Sequence, residues 1–159
     1  MKALVIYDST HGNTAQIAQA IGEAIGGQVL RVSEVNPADL KGFDLVIVGS
    51  PTHGGWFTPE IKDLLKASPA LEGVNVAAFD TRVASKVGAL LFGYAAPRLA
   101  RSLQGKGGNL LAPPEGFFVL GTQGPLKDGE LERAAGWAKG LDHDLFTRSR
   151  KVAHSIILW

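Results

Sequence analysis

The chain has 159 residues, 45% hydrophobic and 19% charged, a balance that suits one domain with a substantial core and excludes a disordered chain. Lysine plus arginine number 16 and aspartate plus glutamate 15, so the net charge of +1 removes the global electrostatic argument for nucleic-acid binding or a polybasic anchor. There is no cysteine, which excludes disulfides, thiolate nucleophiles, cysteine-ligated zinc and iron–sulfur clusters.

The opening segment, Met1–Tyr7, runs into a turn too soon for a signal peptide. No apolar run reaches the roughly 18 residues of a membrane span. The expectation is a cytoplasmic, soluble protein with no nucleic-acid partner and no membrane span.

In chain order, Lys2–Tyr7 reads as a strand. Asn13–Ile25 follows as a helix, with Ile17, Ile21 and Ile25 four apart on one stripe, and Gly26-Gly27 ends it. Gln28–Val32 is a second strand, Pro37–Leu40 a short crossover, and Asp44–Gly49 a third strand whose Leu45-Val46-Ile47-Val48 is continuously apolar. Such a run suits a strand covered on both faces. Pro59 stands where a first helical position belongs, with Ile61, Leu64 and Leu65 behind it. Asn75–Phe79 is a fourth strand, and Thr81–Ala96 is irregular. Pro97 opens another helix, Phe117–Leu120 is a fifth strand, and a last helix runs from about Gly129 to Leu141. Strand and helix alternate throughout, which predicts an α/β fold with a doubly wound, parallel sheet.

In such a sheet, ligands bind at the carboxyl ends of the strands. After strand one comes Asp8-Ser9-Thr10-His11-Gly12-Asn13-Thr14, hydroxyl-rich and leading into a helix. Free backbone N–H groups and the helix dipole make that place an anion site; an ordinary N-cap turn uses the same residue types. The segment has no lysine or arginine, so a phosphate here would be held by neutral donors. P-loop, dinucleotide-binding, metalloprotease and nucleophile-elbow motifs are all missing. Asp142-His143-Asp144 reads as a solvated helix end rather than a metal site.

Val5-Ile6-Tyr7-x-Ser9-Thr10-x-Gly12-Asn13-Thr14, continuing to Ala18 and Ile21, resembles the flavodoxin signature. The resemblance extends in element order over residues 1–141, which leaves 142–159 as a C-terminal tail. It implies a five-stranded sheet of order 2-1-3-4-5 and bound FMN. By that resemblance Ser9, Thr10, His11, Gly12, Asn13 and Thr14 wrap the phosphate, His11 standing where the family usually has threonine. The loop Pro51-Thr52-His53-Gly54-Gly55-Trp56 corresponds to the one that stacks an aromatic on the flavin ring. Trp56 would supply the stack, and Gly54-Gly55 a peptide free to turn toward the ring. Without the flavin, Trp56 is a core or hinge aromatic and His53 a solvent-facing loop residue. Asp80, Thr81 and Arg82 follow strand four, where the family usually has a covering aromatic; the next aromatics here are Phe92 and Tyr94. Arg82, if its guanidinium comes within about 5 Å of the ring, would stabilise negative charge on a reduced flavin; an Arg82 that points to solvent and meets only a partner or a substrate phosphate is the other reading. Ser85–Ala96 is either a lid over the ring or the approach to the Pro97 helix. Gly121–Glu130 reads as a structural turn.

The function this implies is a one-electron carrier, a flavoprotein of electron transport working between redox partner proteins. The alternatives are an FMN-dependent NAD(P)H:quinone-type oxidoreductase acting on a small quinone, and a flavin-free phosphate-binding or interaction module. Carriers of the family are commonly very acidic, which steers them to basic partners, and this chain lacks that charge. The tail, basic at Arg148, Arg150 and Lys151 and apolar toward Trp159, would be hidden by docking on its own domain, on a second copy in a homodimer, or on a partner.

Overall fold

A computed structural model describes residues 1–157. The chain alternates strands and helices: β1 (Ala3–Tyr7), α1 (Asn13–Ile25), β2 (Gln28–Arg31), two 3-10 turns, β3 (Leu45–Pro51), α2 (Pro59–Ala67) and β4 (Asn75–Val83). Then come α3 (Lys86–Leu91), α4 (Ala95–Gly105), β5 (Asn109–Leu110), β6 (Glu115–Val119) and α5 (Glu130–Ile157). The sheet is parallel, ordered β2-β1-β3-β4, and its fifth position is shared by β5 and β6, which both pair with β4. This is the expected 2-1-3-4-5 arrangement with its last strand in two pieces.

Successive strand residues point to opposite faces, and both faces are covered. Leu4, Ile6, Val46 and Val48 pack with Leu64 and Leu65 of α2 and Leu99 and Leu103 of α4. Ala3, Val5, Leu45 and Ile47 pack with Ile17 and Ile21 of α1 and Ala134 and Ala138 of α5. That division explains why Leu45–Val48 is apolar without alternation.

Four elements differ from the sequence expectation. β4 runs on to Val83, so Asp80, Thr81 and Arg82 are strand residues and not a turn. The cause is long-range: β6 pairs with β4 from Phe79↔Glu115 to Val83↔Val119 and holds that backbone extended. The segment expected to be irregular contains α3, capped by the Ser85 hydroxyl, which accepts the Gly88 N–H. α4 starts at Ala95, two residues before Pro97; a proline in the first turn lacks only an N–H that has no helical partner there. Finally, α5 passes Leu141 without a break and ends at Ile157, and Phe146 to Ile156 are all exposed. Residues 142–157 are therefore helix, and after Leu145 the stretch Phe146–Ile156 is not docked on its own domain. Among the described residues no helix is long and apolar enough to cross a membrane.

Candidate functional site

A cleft of about 230 Å³ opens at the carboxyl ends of the strands. The loop after β1 forms one wall, through Thr10, His11 and Asn13. Gly12 caps α1 in the left-handed conformation, with φ of 90°. The Ser9 hydroxyl accepts the N–H of Gly12 at 3.0 Å and of Ala15 at 3.4 Å, so it is spent on shaping the loop. Thr14 is buried, its hydroxyl 2.8 Å from that of Thr81. Asn13 donates its side-chain amide to the Gln123 carbonyl, tying this loop to the one after β6. The backbone N–H groups of Thr10, His11, Asn13 and Thr14 have no acceptor among the described residues. Four free N–H groups at a helix start, beside the exposed Thr10, make a cradle for an anion. Of the expected wrap, Thr10, His11 and Asn13 reach the cleft, while Ser9, Gly12 and Thr14 build the loop behind it.

The loop after β3 forms a second wall with Pro51, Thr52, His53, Gly54 and Gly55. His53 and Trp56 exchange backbone hydrogen bonds of 2.9 and 3.0 Å around Gly54 (φ 56°) and Gly55 (φ 82°). Two positive φ angles define a two-residue turn that glycines adopt at little cost. A Cβ at Gly55 would lie 2.1 Å from the Phe92 carbonyl oxygen, so only glycine fits. Arg98 donates to the Gly55 carbonyl at 2.9 Å, and its guanidinium lies 4.2 Å from the Trp56 ring centre. Trp56 is thus held against Arg98, 57% exposed, and does not line the cleft. The turn and the cation–π contact hold the indole over Arg98, next to Gly54 and Gly55, which do line the cleft.

β4 forms the floor. Thr81 and Arg82 line it, while Asp80 is fully buried beneath. The Asp80 carboxylate accepts two hydrogen bonds from Arg82, each 2.7 Å, and one from the Ala96 N–H at 2.8 Å. Burial pushes the Asp80 carboxyl above the usual carboxylate range, and the bonds from Arg82 and Ala96 pull it back. The Arg82 guanidinium lies 3.7 Å from the Tyr94 ring centre. On another side a Cβ at Gly116 would fall 2.2 Å from the guanidinium carbon. Arg82 is therefore a paired and sandwiched cation on the floor of the cleft.

Val83 and Ser85 also line the cleft, and so does Thr122, which reads in sequence as part of a structural turn. Thr122 follows β6, and the rule that ligands sit at strand ends applies there as it does after β1, β3 and β4. Phe92 and Tyr94, the aromatics noted in the sequence, both reach the cleft.

The pattern of the Flavodoxin domain family matches residues 4–104. The chain belongs to that family. This flavodoxin domain is 31% identical over 80 residues to an uncharacterized protein of Methanocaldococcus jannaschii; the match covers 50% of this chain and about half, 51%, of that relative. Among solved structures, oxidised flavodoxin 1 of Bacillus cereus superposes with a TM-score of 0.77 at 21% identity, covering 90% of this chain and 98% of that one. A flavodoxin from the domain Archaea superposes with a TM-score of 0.74 at 25% identity, covering 91% and 99%.

Proposed function

We propose that this flavodoxin domain binds FMN in the cleft and serves as a one-electron carrier between redox partner proteins. The observation that carries the reading is the cradle of four free N–H groups at the start of α1, open to the same cleft as the Gly54-Gly55 turn. The donor set suits a phosphate held without lysine or arginine: backbone N–H groups, the Thr10 hydroxyl and the positive end of α1. The Gly54-Gly55 turn, with two positive φ angles and no side chains, suits close approach of a ring edge. Thr14 and Ser9 shape the cradle, and Asn13 fastens it to the loop after β6. Bound FMN would supply the redox chemistry, and the surrounding chain would set its orientation and its access to solvent.

The visible spectrum of the purified protein, followed by reductive titration, tests this reading. A flavin spectrum with two resolved one-electron steps supports the carrier. A colourless protein that takes up no FMN overturns it.

A second reading, an FMN-dependent reductase of small quinones, draws on the exposed apolar side chains of Val87, Leu90, Leu91 and Phe92 on and beside α3 at the cleft mouth. Direct reduction by a nicotinamide, with turnover of an added quinone, would favour it over the carrier.

A further inference from the structure

α5 is 28 residues long, roughly 42 Å, and only its first half has a partner. Ala134, Ala138 and Leu141 are buried against the sheet, Leu145 is half-buried, and the helix then overhangs the domain. The overhang is not an ordinary solvated helix end. Phe146 is 59% exposed, Val152 60% and Ile156 71%.

Its side chains are sorted by kind. At 100° per residue, Leu145, Phe146, Ser149, Val152, Ala153 and Ile156 share one arc of about 120°. Arg148 borders that arc on one side and Arg150 on the other; Lys151 and His154 lie behind. After Asp144 the sequence has three of its 16 basic residues and none of its 15 acidic ones. The order along the axis is sorted too: the three cations occupy the single turn 148–151, and Val152, Ala153 and Ile156 lie beyond it. Leu158-Trp159 continue the apolar sequence.

We propose that this end of α5 docks on an anionic lipid surface. Arg148, Arg150 and Lys151 sit at the level of the phosphates, and the apolar side chains beyond them dip into the interface. A lipid surface accepts both halves of the pattern and asks no shape complementarity of a lone helix. A second copy satisfies it less well: an antiparallel pair of overhangs crossing near their middle sets Arg150 and Lys151 against the same residues of the other chain, with no acid nearby. The groove beside the overhang is flanked by Asn75 and Asn109, at the beginnings of β4 and β5. The overhang therefore leaves the domain at the end opposite the cleft, and docking there keeps the cleft open to solvent. The inference does not depend on FMN.

The test is flotation of the full chain with vesicles of phosphatidylcholine alone, and with about a third of the lipid replaced by phosphatidylglycerol. The chain should float with the anionic vesicles and bind the neutral ones roughly a hundredfold more weakly, three cations each contributing about fivefold. The triple variant R148Q/R150Q/K151Q should show a similar loss on anionic vesicles, and V152D/I156D should not float at all. Circular dichroism of both variants checks that the helix persists. Failure to float with anionic vesicles overturns the proposal, as does equal binding to both vesicle types. So does a dimer in sedimentation velocity that V152D/I156D abolishes, since a second copy would then cover the arc.

Discussion

The Asp80 carboxylate and the Arg82 guanidinium, two residues apart on one face of β4, are joined by two hydrogen bonds of 2.7 Å. Asp80 has no exposure, and its second oxygen also accepts the N–H of Ala96 in the first turn of α4. The pair thus ties the floor of the cleft to α4, with Tyr94 lying over the arginine. Removing one partner leaves a buried charge alone, which is costly. Arg82→Met should destabilise the fold by about 3–5 kcal/mol in urea denaturation. Adding Asp80→Asn to Arg82→Met should recover part of that loss, because no unpaired charge remains.

Thr10 and Thr14 belong to one motif and do different work. Thr14 shares a hydrogen bond of 2.8 Å with Thr81 inside the protein, while Thr10 is exposed at the cleft. Thr14→Val should cost about 1–3 kcal/mol of stability by stranding the Thr81 hydroxyl. Thr10→Val should leave stability unchanged and weaken FMN binding by roughly tenfold, the worth of about one charge-assisted hydrogen bond. Thermal unfolding and an FMN fluorescence titration on both variants separate the two roles.

Gly55→Ala should cost more than an ordinary turn substitution. The position needs φ of 82°, worth about 1–2 kcal/mol against an L side chain, and the added methyl meets the Phe92 carbonyl at 2.1 Å. The turn must shift, and Arg98 then loses its bond to the Gly55 carbonyl. The expected readouts are a lower Tm and weaker FMN binding together. Gly54→Ala, with φ of 56° and open space around its Cβ, should show the smaller loss.

Glu130 carries an acid-sensitive contact at the start of α5. Its carboxylate accepts bonds from Arg133 at 3.0 and 2.8 Å and from the Phe118 N–H at 2.7 Å. The Arg133 guanidinium first, and the Phe118 N–H after it, hold the carboxyl below the usual glutamate range against the opposing effect of burial. A depressed folded pKa gives stability that is present above the unfolded value, near 4.3, and is lost as pH falls through the folded one. Stability should therefore drop as the pH is lowered below about 4.3, and Glu130→Gln should flatten that acid limb. Urea midpoints between neutral and acid pH measure both.

Much of this protein is legible in one dimension. The alternation of apolar strand and amphipathic helix is a local property, so the parallel sheet and the hydroxyl-rich loop before α1 are readable from the sequence, while the strand order comes only from the resemblance of the Val5–Ile21 motif to flavodoxins. The continuation of α5 past Leu141 is also written locally, since no glycine or proline follows Gly140; the motif's expected end at residue 141 concealed it. What only the tertiary structure decided are the partnerships across distance. Thr14 meets Thr81, 67 positions away, and Arg98 meets Gly55, 43 away. β6 extends β4 through Arg82, which carries that arginine to Asp80 and under Tyr94, and Arg98 of α4 holds Trp56. Side-chain pairing of that kind depends on which strand ends lie side by side. That is set by packing both faces of the sheet at once, and not by the preferences of any one segment.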